Sequence, residues 1–159
     1  MEKVYEISNF DILAAAGGKG LLGDLDSDGR MEVVFVQADS GIDDQYVPHQ
    51  VTCVTAYRLD GTMLWQVGKA MEKAGHFGSD FPAQICDFDG DGHLEVVCVM
   101  EKKFCVLEGK TGKCKKQYPL PSNEAHDCII LADLTGQGAR RDVILKDRYR
   151  NMWALDNQF

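Results

Sequence analysis

Short apolar runs, punctuated by aspartate and glycine, recur along this chain. Val33-Val34-Phe35-Val36, Val96-Val97-Cys98-Val99-Met100 and Val143-Ile144-Leu145 hold no charged position and are rich in β-branched residues. A continuous apolar run of that kind predicts a strand buried on both faces. Neighbouring elements follow outward from these runs. The first group of predicted strands covers residues 20–23, 32–37, 51–59 and 62–67, with a tight hairpin at Asp60-Gly61. The second covers 83–86, 95–100, 104–108 and 113–118, turning at Gly109-Lys110-Thr111-Gly112. The third covers 128–132, 142–146 and 151–156, and a further strand at 3–7 precedes them all.

Each buried run is entered through an acidic turn. Asp87-Phe88-Asp89-Gly90-Asp91-Gly92-His93-Leu94-Glu95 leads into the second run, and Asp24-Leu25-Asp26-Ser27-Asp28-Gly29-Arg30-Met31-Glu32 into the first. Asp133-Leu134-Thr135-Gly136-Gln137-Gly138-Ala139-Arg140-Arg141-Asp142 is a worn third copy, one residue longer and without the middle acids. An EF-hand would need a glutamate at the twelfth position and an exiting helix. Counted from Asp87, the twelfth residue is Cys98, the acid comes at the ninth, and no 3.6-residue period follows. The EF-hand and the dockerin-type helical pair are excluded.

The first aspartates of the turns stand 63 and 46 residues apart. Periods of ~40–50 residues with several strands each mark propeller blades, which are four-stranded. The sequence therefore predicts an all-β chain of about three β-propeller blades over residues 1–159, a single segment. Three blades do not close a ring. The third predicted blade lacks its last strand, and the strand at 3–7 is of the kind it lacks. Two arrangements follow from this: a piece of a longer propeller, or a homodimer in which residues 3–7 of each copy complete the other's third blade and hide open sheet edges.

Composition narrows the function. At 159 residues and 45% hydrophobic content the chain can bury a sizeable core. A net charge of -8 and a pI near 4.9 argue against nucleic-acid and anionic-membrane partners. No apolar stretch reaches the ~18 residues of a membrane span, and the start, MEKVYEISNF, shows no signal-peptide hydrophobic region. Cysteines 53, 86, 98, 105, 114 and 128 show no metal-site spacing and are read as buried free thiols, an awkward fit to an oxidising compartment.

The acidic turns carry the clearest chemistry. Crowded carboxylates repel unless a cation sits among them, and a hard cation such as Ca²⁺ takes six to eight oxygen ligands. The spacing assigns ligands to Asp24, Asp26, Asp28 and Glu32, with the Arg30 carbonyl, and to Asp87, Asp89, Asp91 and Glu95, with the His93 carbonyl. The other reading is a solvated acidic hairpin. The third copy is read as metal-free, with Arg140 or Arg141 supplying the positive charge.

With that register in place, residues 24–32 and 87–95 resemble the calcium loops of FG-GAP/VCBS-type propeller repeats. Gly23 to Glu32 followed by Ala56-Tyr57-Arg58-Leu59-Asp60-Gly61-Thr62-Met63-Leu64-Trp65 is more similar still to rhamnogalacturonan-lyase-like propellers of polysaccharide lyase family 11. Gly75-His76-Phe77, His126-Asp127 and the segment from Lys146 to Ala154 resemble further family segments. The resemblance implies an eight-bladed propeller of which this chain is a minority, an extracellular or cell-surface setting, and a β-elimination on a uronate polymer. Such a reaction needs a base for the proton beside the uronate carboxylate. His76, His126, Lys146 and Tyr149 are the candidate bases, and Arg148 a candidate carboxylate clamp. For each of them the plainer reading is preferred, that of a loop or hairpin residue paired within the protein. The preferred function at this point is therefore a calcium-binding propeller module for carbohydrate or protein; the alternative is part of a polysaccharide lyase. Trp65 and Trp153 are expected to fill interfaces between blades from corresponding strand positions, and the loop at 39–49 is an open candidate for binding.

Overall fold

The computed structural model describes residues 18–40, 50–75, 77 and 81–159. The predicted strand at 3–7, and with it the expected strand exchange, lies outside the described residues. So do His76 and most of the loop at 39–49. Among the described residues the chain is all β, without a helix. Among the described residues, no helix is long and apolar enough to cross a membrane.

Strands β1 (Lys19–Gly23), β2 (Glu32–Ala38), β3 (Val51–Arg58) and β4 (Met63–Gly68) pair antiparallel in sequence order. The same meander repeats in β5 (Ala83–Cys86), β6 (Glu95–Met100), β7 (Lys103–Glu108) and β8 (Cys114–Pro119). A third consists of β9 (Cys128–Ala132), β10 (Asp142–Lys146) and β11 (Met152–Leu155). The sequence predicts separate groups, but one parallel pair, Val51 with Met100, joins the first two into an eight-stranded sheet. The third stays a separate three-stranded sheet, and among the described residues no barrel closes. β11 is shorter than predicted because the Asn151 amide and side chain both donate to Asp147, drawing that residue into the preceding turn.

Alternation within the central strands shows why their sequence is continuously apolar. Val96, Cys98 and Met100 of β6 pack with Val34, Val36, Val54, Ala56 and Trp65 of the first meander. Val97 and Val99 point the other way, with Phe104, and meet Ile129, Val143 and Leu145 of the third. The middle meander is thus covered on both faces, and a period-2 strand so placed has no solvent side on which to carry polar residues.

Trp65 seals the contact between the first two meanders. Its indole Nε1 donates to the Gly109 carbonyl at 2.7 Å, and its ring lies on Gly112 at φ 69°, where a Cβ would come within 2.6 Å of it. Only glycine satisfies both conditions. Trp153 also packs between meanders, against the second core cluster. The two tryptophans are not at corresponding positions, however: Trp65 lies on the fourth strand of its meander and Trp153 on the third strand of its own.

Candidate functional site

The three acidic turns share one backbone. The third and fifth residues after the first aspartate have positive φ in each: Ser27 and Gly29, Gly90 and Gly92, Gly136 and Gly138. The first aspartate explains how the curl is held. Asp24 accepts from the amides of Asp28 and Gly29 at 3.1 and 3.0 Å, Asp87 from Gly90 and Gly92 at 2.7 and 3.2 Å, and Asp133 from Gln137 and Gly138 at 2.8 Å each. The acid that closes each turn is buried and holds its start. Glu32 accepts from Leu25 N at 2.8 Å and Glu95 from Phe88 N at 2.8 Å, while Asp142 accepts from Leu134 N and Thr135 N at 2.7 and 2.8 Å. Leu25 and Phe88 are pulled into the core by the same contacts.

Of the carboxylates expected as metal ligands, the structure gathers three in each of two turns. Asp24, Asp26 and Glu32 offer oxygens within 4.8 Å of one another, as do Asp87, Asp89 and Glu95. Asp28 and Asp91 stand apart from these trios. Asp28 binds the Arg30 side chain at 2.7 Å, which with the Arg30 amide holds its carboxyl below the ordinary range. The His93 amide and then Lys115 do the same for Asp91. Arg30 therefore places its side chain in a surface ion pair, and the His93 ring lies 3.3 Å from Ser27 Oγ, linking the first two turns. In the first turn burial pushes Glu32 upward, reinforced by the nearby charges of Asp26, Asp28 and Asp24 and opposed by the Leu25 amide.

The donor set in the first turn fits a hard divalent cation. It is all carboxylate oxygen, and Ca²⁺ and Mg²⁺ take oxygen ligands. Asp26 Oδ1 is buried there with no hydrogen-bond partner, and the Arg58 guanidinium reaches only its other oxygen, at 3.4 Å. A buried carboxylate oxygen left unpaired is costly, and a bound cation would satisfy it.

The second turn differs in a way the sequence reading missed. Lys115 Nζ lies 2.6 Å from Asp89 Oδ2, 2.9 Å from Glu95 Oε1 and 3.1 Å from Asp91 Oδ2. Burial opposes its charge, but the hydrogen bonds it donates to these carboxylates outweigh that and raise the lysine above its ordinary value. Arg141, expected to neutralise the third turn, instead points at the second. Its guanidinium stands 3.8 Å from Asp87 Oδ2 and rests on Gly90, where any Cβ would be 2.4 Å from Nη1. With Asp133 and Asp142 already satisfied by backbone amides, the third turn gives Arg141 little to bind.

The candidate lyase residues form a second cluster. Asp127, 4% exposed, receives Arg148 Nη2 at 3.1 Å and stands 3.8 Å from Lys146 Nζ. His126 beside it is buried, and Gln50 Nε2 donates to its Nε2 at 2.9 Å. Asp147 accepts from the amides of Asn151, Arg150 and Tyr149, which hold its carboxyl well below the ordinary range, at about 2. Tyr149 itself is largely exposed, with the Arg148 guanidinium 5.9 Å from its ring centre. The structure thus brings together His126, Lys146 and Arg148, around a carboxylate that the sequence reading gave no role.

Burial holds His126 below the ordinary histidine value, outweighing its backbone bond and the pull of Glu124, Asp127 and Asp39. The folded state therefore favours the neutral ring, and unfolding below the unfolded value of 6.5 takes up a proton. Stability should be level above pH 6.5 and fall as the pH drops from there toward the lower folded value. Urea midpoints measured across this window should show the slope, and His126→Gln should flatten it.

None of the six cysteines forms a disulfide. Cys53, Cys98 and Cys105 are buried as expected, Cys86 and Cys128 are half-buried, and Cys114 is exposed. Burial pushes the Cys86 thiol up to about 12, so it is inert.

The model of the family described as rhamnogalacturonan lyase family 11, C-terminal domain, matches residues 13–118, the stretch that contains both acidic trios. The chain belongs to this family. The rhamnogalacturonan endolyase YesW of Bacillus subtilis (strain 168) is 34% identical to it over 79 residues, which is 47% of this chain and 12% of that relative. Among solved structures, the exotype rhamnogalacturonan lyase YesX superposes with a TM-score of 0.59 at 17% identity, over 89% of this chain and 31% of its own. Bacillus licheniformis rhamnogalacturonan lyase PL11 does so with 0.54 at 18% identity, over 86% of this chain and 33% of its own. These likenesses establish a shared fold. The chain spans about a third of each solved lyase.

Proposed function

We propose that this family member is part of a polysaccharide lyase that cleaves a rhamnogalacturonan-type uronate polymer by β-elimination. Within it, the chain serves as a propeller segment stabilised by calcium in its acidic turns. The family match over residues 13–118 is the observation that carries the reading, and it favours the lyase over the free-standing binding module that the sequence alone suggests. The repeated antiparallel meanders, stacked face to face, support the view that each is a blade. A polymer substrate that cannot enter a cell goes with action outside it.

Calcium would be held by Asp24, Asp26 and Glu32, and by the corresponding Asp87, Asp89 and Glu95. Bound there, it supplies positive charge to crowded carboxylates and couples the strand entrances to the fold. The chain's own residues do the rest: Glu32 and Glu95 fix the turn starts, and Asp127 holds Arg148 and Lys146 inward. Because those two cations are engaged by Asp127, the base and clamp of the reaction are expected from other parts of the ring. The same engagement favours the second reading, a carbohydrate- or protein-binding module.

The test is the absorbance of unsaturated uronate released from rhamnogalacturonan in the presence of calcium. The longest natural polypeptide carrying this sequence should produce it, and the 159-residue chain alone should not. A natural polypeptide that is retained on immobilised rhamnogalacturonan yet releases no product would overturn the lyase reading and leave the module.

A further inference from the structure

The two acidic trios have nearly the same ligands but different neighbours, and the difference is traceable to one strand position. In the β3–β4 pair the register shifts between Ala56 and Tyr57, whose partners are Trp65 and Met63, so Leu64 is the extra residue of a bulge. In the β7–β8 pair the shift falls between Val106 and Leu107, whose partners are Lys116 and Cys114, so Lys115 is the extra residue of the corresponding bulge. Bulges re-aim a side chain. Leu64 packs on the apolar core. Lys115 reaches the second turn and touches three of its carboxylates.

The cross-strand partners explain why a cation is needed there. Glu32 lies opposite Arg58, whereas Glu95 lies opposite Glu108, another acid. Like charges facing each other across a strand pair are destabilising, and Glu95 is 99% buried, with 1% of its side chain exposed. Lys115 supplies the missing counter-charge at 2.9 Å from Glu95 and binds Asp89 of the same trio at 2.6 Å. In the first turn, by contrast, Arg30 binds Asp28 outside the trio, and Arg58 touches one Asp26 oxygen and leaves the other unpartnered.

We infer that Lys115 is a tethered cation that occupies the second acidic turn and competes with a divalent metal for it, so that the two turns bind metal unequally. This rests on the reading of the turns as calcium sites. The first turn is the stronger site; the second takes metal only by expelling a side chain whose effective local concentration is set by its own tether. Lys115 is 27% exposed, so it has a solvent path along which to leave. The lysine also offsets part of the negative charge of the second trio when metal is scarce, whereas the first trio has Arg58 at 3.4 Å from Asp26.

Calorimetric titration of the 159-residue chain with calcium separates the possibilities. Asp26→Ala removes the first site and should leave weak binding at the second. Adding Lys115→Gln in that background should tighten the remaining site at least about tenfold, while Lys115→Arg, which keeps a cation, should not. Unchanged affinity in the Lys115→Gln protein overturns the inference and leaves the calcium reading standing. Absence of calcium binding in every form, wild type included, overturns both. Should Lys115→Gln fail to fold, amine acylation of the wild type without metal, read by mass spectrometry, gives an independent answer. Lys115 should react at least several-fold more slowly than its exposed neighbour Lys116, and equal rates would place it outside the turn.

Discussion

Asp127→Ala should cost about 3 kcal/mol of folding stability, the lower end of what breaking a buried ion pair costs, or roughly 6–12 °C in Tm for a chain of this size. The carboxylate is 4% exposed and faces two cations, Arg148 at 15% and Lys146 at 22% exposure. Removing it takes away a carboxylate that offsets the desolvation of both cations. The lower end applies because each cation keeps some access to solvent. A second change, Arg148→Met, should recover part of the loss, since a largely buried cation that has lost a counter-charge is worse than an apolar side chain of similar shape. Thermal unfolding of the single and double variants reads both effects. A single variant as stable as wild type would mean that Asp127 does not hold this cluster, and would reopen Arg148 as a candidate carboxylate clamp.

Much of the fold is legible in the sequence because its signals are local. The Val96 to Met100 run has no solvent face, and a strand between two cores is what such a run can build. Asp60-Gly61 and the acidic turns specify their own backbone, with glycine or serine where φ is positive. The carboxylate trios follow from spacing within one turn. What the sequence hides are pairings between distant strands. Lys115 meets Asp89 and Glu95 only because a bulge in β8 re-aims it, and a lysine in a hairpin strand otherwise reads as a solvated charge. Arg141 crosses from the third turn to the second, and Asp127 is chosen by Arg148 and Lys146 across a β9–β10 register that no local pattern encodes. The signal lies in the comparison of repeats: aligned bulge to bulge, Leu64 corresponds to Lys115, and that exchange puts a cation against an acidic turn.

Stripping divalent metal should lower the melting temperature of the chain. A ligand that binds only the folded state at a hundred times its Kd contributes about 2.7 kcal/mol, or roughly 5–11 °C here. The structure gives the reason for the loss: without a cation the Glu32 carboxylate is held above its ordinary value by burial and by its own neighbours, and Asp26 Oδ1 has no partner. Asp26→Ala should reproduce most of the shift without a chelator, because the metal at the first turn can no longer be held. The chelator should then add little, since Lys115 already fills the second turn. The deciding measurement is thermal unfolding in excess calcium and again after chelation, with elemental analysis of both samples. Metal present in the first sample, absent from the second, and a Tm several degrees lower without it is the predicted result. Superimposable curves from a sample shown to be metal-free would contradict the calcium sites on which this account of the turns depends.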